Sequence, residues 1–108
     1  MIIYNNDIEY ESVSEGVQRK ILSSGGKMMS VEVKFKKGAV GQVHTHIHEQ
    51  VSYVINGSFE FEINGKKSVI KKGDTYYVGS NEPHGVLSLE EDSILLDIFT
   101  PQREDFLK

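Results

Sequence analysis

Between residues 31 and 100 the chain is written almost entirely in a period of two. Val31, Val33 and Phe35 alternate with Glu32, Lys34 and Lys36. Phe59, Phe61 and Ile63 alternate with Glu60 and Glu62. Side chains on an extended strand point to opposite faces in turn, so such runs read as half-buried strands. Val51 to Ile55, Lys66 to Lys72, Thr75 to Val78, His84 to Leu89 and Ile94 to Thr100 read as further strands, the last stopped by Pro101. Asn56-Gly57 and Asn64-Gly65 carry the residues that accept positive φ, so both predict tight hairpin turns. Helical periodicity is nearly absent. Residues 12–20 read as a brief turn, and Arg103 to Lys108 as a final helical turn. Many short strands with turns of this kind predict an all-β sandwich or barrel.

Against this background the histidines are unevenly placed. The chain has four, and His44, His46 and His48 fall within five positions; the fourth is His84. On a strand, His44 and His46 project from one face. A neutral imidazole is a ready metal ligand, so two side by side, with a third from a neighbouring strand, make a divalent-metal site. The plainer alternative is a polar turn rich in histidine. What favours the metal is the spacing around the pair: Gly38, five residues, His44-x-His46, three residues, Gln50, six residues, Gly57. A second block runs Gly73-Asp74, then Gly79-Ser80-Asn81-Glu82-Pro83-His84.

These two blocks resemble the signature motifs of the cupin superfamily, G-x5-H-x-H-x3/4-E-x6-G and G-x5-P-x-G-x2-H-x3-N. The first is matched except at the acid, where Gln50 stands. The second keeps Gly73 and His84 but has Gly79, Asn81 and Ser88 where Pro, Gly and Asn are common. The resemblance implies a single-domain jelly roll, the RmlC-like double-stranded β-barrel, over residues 1–108 with its core at about 28–100. It also implies His44, His46, Gln50 and His84 as ligands of one divalent transition metal. Such a set accepts Zn, Ni, Fe, Co or Mn. His48 continues the alternation of His44 and His46. A substituted ligand, a contact behind the ligands or to substrate, and a rim histidine without a task all fit it, with a site-facing role other than ligand preferred. Glu49 falls on the opposite face and is not the missing acid.

Gln50 changes the charge balance of the site. A carboxylate ligand cancels one unit of metal charge, and a carboxamide cancels none. The ion then polarises bound oxygen more strongly and supports a trivalent state less. This tilts the chemistry from redox towards polarisation of a carbonyl or hydroxyl. A second acid lies in the last strand. Leu95, Asp97 and Phe99 share one face, and Ile94, Leu96 and Ile98 the other. A carboxylate among such neighbours is either partnered or raised in pKa; an acid solvated near the strand end, or bonded to backbone, is the other reading.

Longer stretches narrow the resemblance. Gly41 to Gln50, Pro83 to Val86, Leu96 to Leu107 and the opening Gly16-Val17-Gln18-Arg19-Lys20-Ile21-Leu22 are similar to the pectin-degradation cupin family, KdgF. Its members convert 4,5-unsaturated monouronates, the cyclic products of pectin and alginate lyases, into linear keto sugars. Their metal is held by three His and a Gln, and their implicated catalytic Asp, Phe and Arg fall on Asp97, Phe99 and Arg103. The competing functions are a uronate-binding cupin without turnover, a metal-dependent dioxygenase, and a barrel with an idle site.

Composition sets the outer bounds. The 108 residues are 38% hydrophobic and 26% charged, as in one small globular domain. No apolar run approaches the length of a membrane span, and the N-terminus lacks a secretory pattern. There is no cysteine, hence no disulfide or thiolate ligand. A net charge of −4 opposes a nucleic-acid role. The expected setting is cytoplasmic and the expected partner a small anionic sugar. By fold-level analogy the chain pairs as a homodimer through Met1 to Tyr4 and Ile21-Leu22.

Overall fold

The computed structural model describes residues 1–107; Lys108, the last residue of the expected helical turn, lies outside them. Ten strands run β1 (Glu11–Ser14), β2 (Val17–Gly25), β3 (Met28–Phe35), β4 (Val40–His44), β5 (Glu49–Asn56), β6 (Ser58–Ile63), β7 (Lys66–Lys71), β8 (Thr75–Val78), β9 (His84–Ser88) and β10 (Ser93–Thr100). Short 3-10 turns cover Asn5–Asp7 and Glu104–Phe106. All pairings are antiparallel. One sheet has six strands in the order β1-β2-β3-β10-β5-β8, and the other has four in the order β4-β9-β6-β7. No helix among the described residues is long and apolar enough to cross a membrane.

The period of two does what it predicts. Along β10 every second residue from Ser93 to Phe99 is buried, which puts Leu95, Asp97 and Phe99 inside. The apolar faces of the two sheets meet in a cluster of Val17, Phe35, Val54, Phe59 and Leu95, with the Phe35 and Phe59 rings edge to face at 5.1 Å. A second cluster, Met29, Val31 and Phe99, closes one end.

Three expectations change. Residues 12–20 are no turn: they form the β1–β2 hairpin around Glu15-Gly16. The strand Val40–His44 was hidden by its mixed composition and the glycine at 41. Asn56-Gly57 is not a hairpin, because β5 and β6 belong to different sheets. Only Gly57 has positive φ there, at 76°, and the chain turns a corner between the sheets. A Cβ on Gly57 would stand 2.2 Å from Ser93 Oγ and 2.8 Å from Ser93 Cα, so the corner is a close approach of backbones. Asn64-Gly65 is the expected hairpin, with φ of 50° and 80° joining β6 to β7.

Residues 5–10 lie on the outer face of β2 and β3. Asn5 Nδ2 donates to Glu32, Tyr10 Oη donates to the same carboxylate, and Lys20 Nζ donates to Asn5 Oδ1. Glu32 and Lys20, polar residues of an outer face, are buried for this reason.

Candidate metal centre and its cavity

The ligand histidines come from both sides of a closure between strands. His44 ends β4 and pairs in register with His84, which begins β9. A bulge in β4 between Gly41 and His44 sets that register. Gly85 allows it, because a Cβ there would stand 2.7 Å from the Gly41 carbonyl oxygen. The strand stops at His44, so His46 and His48 sit on a loop rather than continuing an alternation. The loop before His84 clasps this one: Asn81 N–H donates to the His46 carbonyl at 2.8 Å. Asn81 has φ of 62°, a conformation asparagine tolerates where glycine is more common. Glu82 braces the loop by accepting from Gly79 N–H and Asn64 Nδ2.

The rings of His44, His46 and His84 converge, with ligand atoms all within 4.8 Å of one another. Each is oriented alike. Nδ1 of His44, His46 and His84 donates to the carbonyls of Gln42, His48 and Glu82, at 2.8, 2.9 and 2.8 Å. A carbonyl only accepts, so each Nδ1 carries the hydrogen and each Nε2 keeps its lone pair. Burial pushes His84 down to about 4 and lowers His46 as well, with Arg103 adding to the effect at both. The His46 and His84 rings are therefore neutral near pH 7 and competent as ligands.

Gln50, buried at the start of β5 on the opposing sheet, faces this group. Its Nε2 donates to Ser52 Oγ at 2.9 Å, and Ser52 Oγ donates to Asp97 Oδ1 at 2.6 Å. This fixes the amide, so Gln50 Oε1 faces His46 Nε2 at 3.0 Å. Two lone-pair atoms then confront each other with no proton to share. Ligands each about 2.1 Å from one ion stand about 3 Å apart at a right angle. The donor set fits a divalent metal.

Asp97 lies on β10 beside β5, in register with Ser52. Burial raises its carboxyl to about 6, against the opposing pull of the Ser52 hydroxyl and of Arg103. Phe99, two residues on, packs its ring edge to face against His46 at 5.7 Å. Arg103 follows the strand end, with Nε and Nη2 donating to Asp105 at 3.1 and 2.9 Å. Its Cζ lies 5.2 Å from the Phe99 centroid and 4.2 Å from that of Phe106. His44, Gln50, His84, Asp97, Phe99 and Arg103 all line one cavity of about 370 Å³. His46 does not line it but meets it through Gln50. His48 does not line the cavity; it stands near Phe99, and its Nδ1 is buried without a hydrogen-bond partner.

The sequence did not single out Ser52 or Tyr76. Ser52 bridges the ligand and the acid. Tyr76, from β8, lines the cavity and stacks on Phe61 at 3.9 Å; burial and Asp97 both push its phenol up, so it stays neutral. Ser52 was within reach, since Gln50 and Ser52 share the inward face of one strand. Tyr76 was not, because nothing in the sequence pairs β8 with β5.

The cupin domain model matches residues 31–99, and the chain is 47% identical over 104 residues to the pectin degradation protein KdgF of Dickeya dadantii, covering 95% of this chain and 94% of that one. The chain belongs to the cupin family, and within it to the KdgF family. The structure of KdgF from Halomonas sp. superposes with a TM-score of 0.95 at 38% identity, covering 98% of this chain and 97% of that one. An RmlC-like cupin from Shewanella frigidimarina superposes with a TM-score of 0.92 at 37% identity, covering 97% and 94%. The β-barrel expected from the sequence is thus the fold of its relatives.

Proposed function

We propose that this KdgF-family protein is a metal-dependent enzyme that converts 4,5-unsaturated monouronates into linear keto sugars, with His44, His46, Gln50 and His84 as ligands and Asp97, Phe99 and Arg103 as the catalytic group. One observation carries the reading. A buried carboxyl, Asp97, is joined through a single hydroxyl to Gln50 and shares a cavity with a guanidinium.

The substrate is an anionic ring with a C4=C5 double bond and a hemiacetal at C1. Opening the hemiacetal removes a proton from the C1 hydroxyl and breaks the bond from C1 to the ring oxygen. The C5 enol so released becomes a ketone when C4 gains a proton. One proton leaves and one arrives, so the product is an isomer of the substrate. A single carboxyl that cycles between ionised and neutral forms serves both transfers, and a value of about 6 suits that task near neutrality. Hydration of the double bond would call on the same proton at C4.

When bound, the divalent ion supplies Lewis-acid stabilisation of negative charge developing on a substrate oxygen. Arg103 has one edge of its fork held by Asp105, which leaves its remaining donors for the ring carboxylate. Phe99 walls Asp97 from water and packs edge to face against the His46 ring. The test is loss of conjugated-acid absorbance with 4,5-unsaturated galacturonate, with and without chelator, over the spontaneous rate. Acceleration that chelator abolishes is expected. No acceleration by metal-loaded protein on either pectin- or alginate-derived monouronate would end this reading.

The proposal includes a homodimer and a cytoplasmic setting. Met1, Ile2 and Tyr4 are exposed, as are Val51, Tyr53 and Tyr77 on β5 and β8. Ile21 packs partly against Met29, Val31 and Phe99, and it and Leu22 are half-buried. Sedimentation velocity decides between dimer and monomer, and cell fractionation tests the location.

A further inference from the structure

Arg19 belongs to the opening segment that resembles the family, yet no role has been given to it above. Val17, Arg19 and Ile21 share the inward face of β2. Val17 lies in the first apolar cluster and Ile21 packs on the second, so Arg19 sets a guanidinium between two core residues. Its side chain lines the same cavity as Gln50, Asp97 and Arg103.

How it is held is informative. Arg19 Nε donates to Glu11 Oε1 at 2.6 Å, across the register pair of β1 and β2. Its Cζ stands 3.9 Å from the centroid of Phe106. The same ring supports Arg103 at 4.2 Å. The two arginines are therefore built alike: each has one carboxylate on its Nε side, each rests on Phe106, and each faces the cavity. A clasp between β1 and β2 needs only a surface ion pair on the outer face. The pair opens to solvent on the Glu11 side, 53% exposed, while the Arg19 side chain is only 20% exposed, so part of the guanidinium is covered towards the cavity, a modest desolvation that an anion there offsets. The fork is preorganised by Glu11 and Phe106, so little freedom is lost on binding.

We infer that Arg19 is a second substrate-contacting arginine of this cavity, which binds oxygens of an anionic sugar and sets affinity and selectivity for uronates over neutral sugars. The inference rests on the proposed function and deepens it. The two arginines divide the work by position. Arg103 lies 5.2 Å from the Phe99 ring, which packs against His46, whereas Arg19 sits on β2, two strands from β10, and rests on Phe106. Arg103 thus stands by the reacting groups, and Arg19 stands further along the cavity wall. Arg19 contributes binding that is equal in ground and transition states, which appears in KM and not in kcat.

The experiment compares the metal-loaded wild type with Arg19→Gln, Arg19→Lys and Glu11→Gln. Kinetics use 4,5-unsaturated galacturonate. Calorimetry uses galacturonate and, as its neutral counterpart, galactose. Loss of a charge-assisted contact is expected to raise KM for Arg19→Gln about tenfold or more, with kcat within about threefold. Arg19→Lys should lie between, galacturonate binding should weaken in proportion, and metal content should be unchanged. An unaltered KM in folded Arg19→Gln overturns the inference. So does a fall in kcat alone, which would mean that Arg19 acts only through Phe106 and Arg103. If Arg19→Gln does not fold, Arg19→Lys carries the same test. If Glu11→Gln reproduces the whole loss of affinity with the guanidinium still present, the residue is a β1–β2 clasp and the inference fails. If the wild type does not turn over the substrate, the proposed function fails, and galacturonate calorimetry still judges Arg19; no binding by wild type, or equal binding by Arg19→Gln, ends it.

Discussion

The serine between Gln50 and Asp97 is the smallest part of this site with a large consequence. Ser52 accepts from Gln50 and donates to Asp97, and it is fully buried. Ser52→Ala leaves one buried donor and one buried acceptor without partners, each costing about 1–3 kcal/mol. The amide is then free to flip, and a flipped Gln50 offers N–H to the metal. Metal titration should show affinity lowered about 10- to 100-fold, with kcat reduced alongside it. An unchanged affinity would mean that the amide is held by something other than Ser52. Asp97 makes the complementary prediction in metal-free protein. Its native value of about 6 lies above the unfolded value of 3.8, so the folded state binds the extra proton between them. Stability contributed by the neutral form is present below about 4 and is lost as pH rises through about 6. Asp97→Asn should therefore stabilise the metal-free protein by about 2–3 kcal/mol at pH 8 and by little at pH 4. Urea unfolding at the two pH values measures this, and equal effects at both would refute it. At this scale the sequence told half the story. Asp97 was visible as an acid among apolar residues, but whether it was solvated or partnered depended on Ser52 across a strand pair. The chain itself does not announce which strands are neighbours.

Elements were legible wherever one face is apolar and the other charged. The alternations in β3 and β6 carried their own faces, β10 showed as an apolar run ended by Pro101, and β7 to β9 were bounded by Gly, Pro and Asn. The signal failed where one face was not solvent. The β1–β2 hairpin has its outer face covered by residues 5–10, so Lys20 and Glu32 sit where a core residue might be read. It failed again at Asn56-Gly57, since the same dipeptide serves a hairpin and a corner between sheets. The two glycines can be told apart by experiment. Gly65 has φ of 80° with nothing within 4 Å of an added Cβ, so Gly65→Ala meets only backbone strain of about 1–2 kcal/mol. Gly57 has the same sign of φ, but its Cβ would also strike the Ser93 backbone at 2.8 Å. Gly57→Ala should cost at least twice as much, because neither β5 nor β10 can withdraw without breaking their pairing. Chemical unfolding of both variants decides it, and equal losses would mean the corner is pliant.

Across the whole molecule the proposed ligand set would also be a fastener. His44 and His84 come from β4 and β9 of the four-stranded sheet, Gln50 from β5 of the six-stranded sheet, and His46 from the loop that joins them. The two sheets otherwise meet through apolar packing and through the Ser58–Ser93 hydrogen bonds at the Gly57 corner. An ion held by all four residues binds only the folded arrangement, so it stabilises by mass action. At a free concentration about 1,000 times Kd the increment is about 4 kcal/mol. For a domain of this size that corresponds to a rise in Tm of about 15 °C or more. Chelator should remove the rise in wild type. His84→Ala should lose most of it while keeping a cooperative transition, because the buried ring at that position is the one whose partner strand is in the other motif. His48→Ala should keep the full increment, since its ring stands outside the converging set and does not line the cavity. A metal-dependent increment that survived His84→Ala but vanished in His48→Ala would move the ion to the other side of His46 and require a different ligand set.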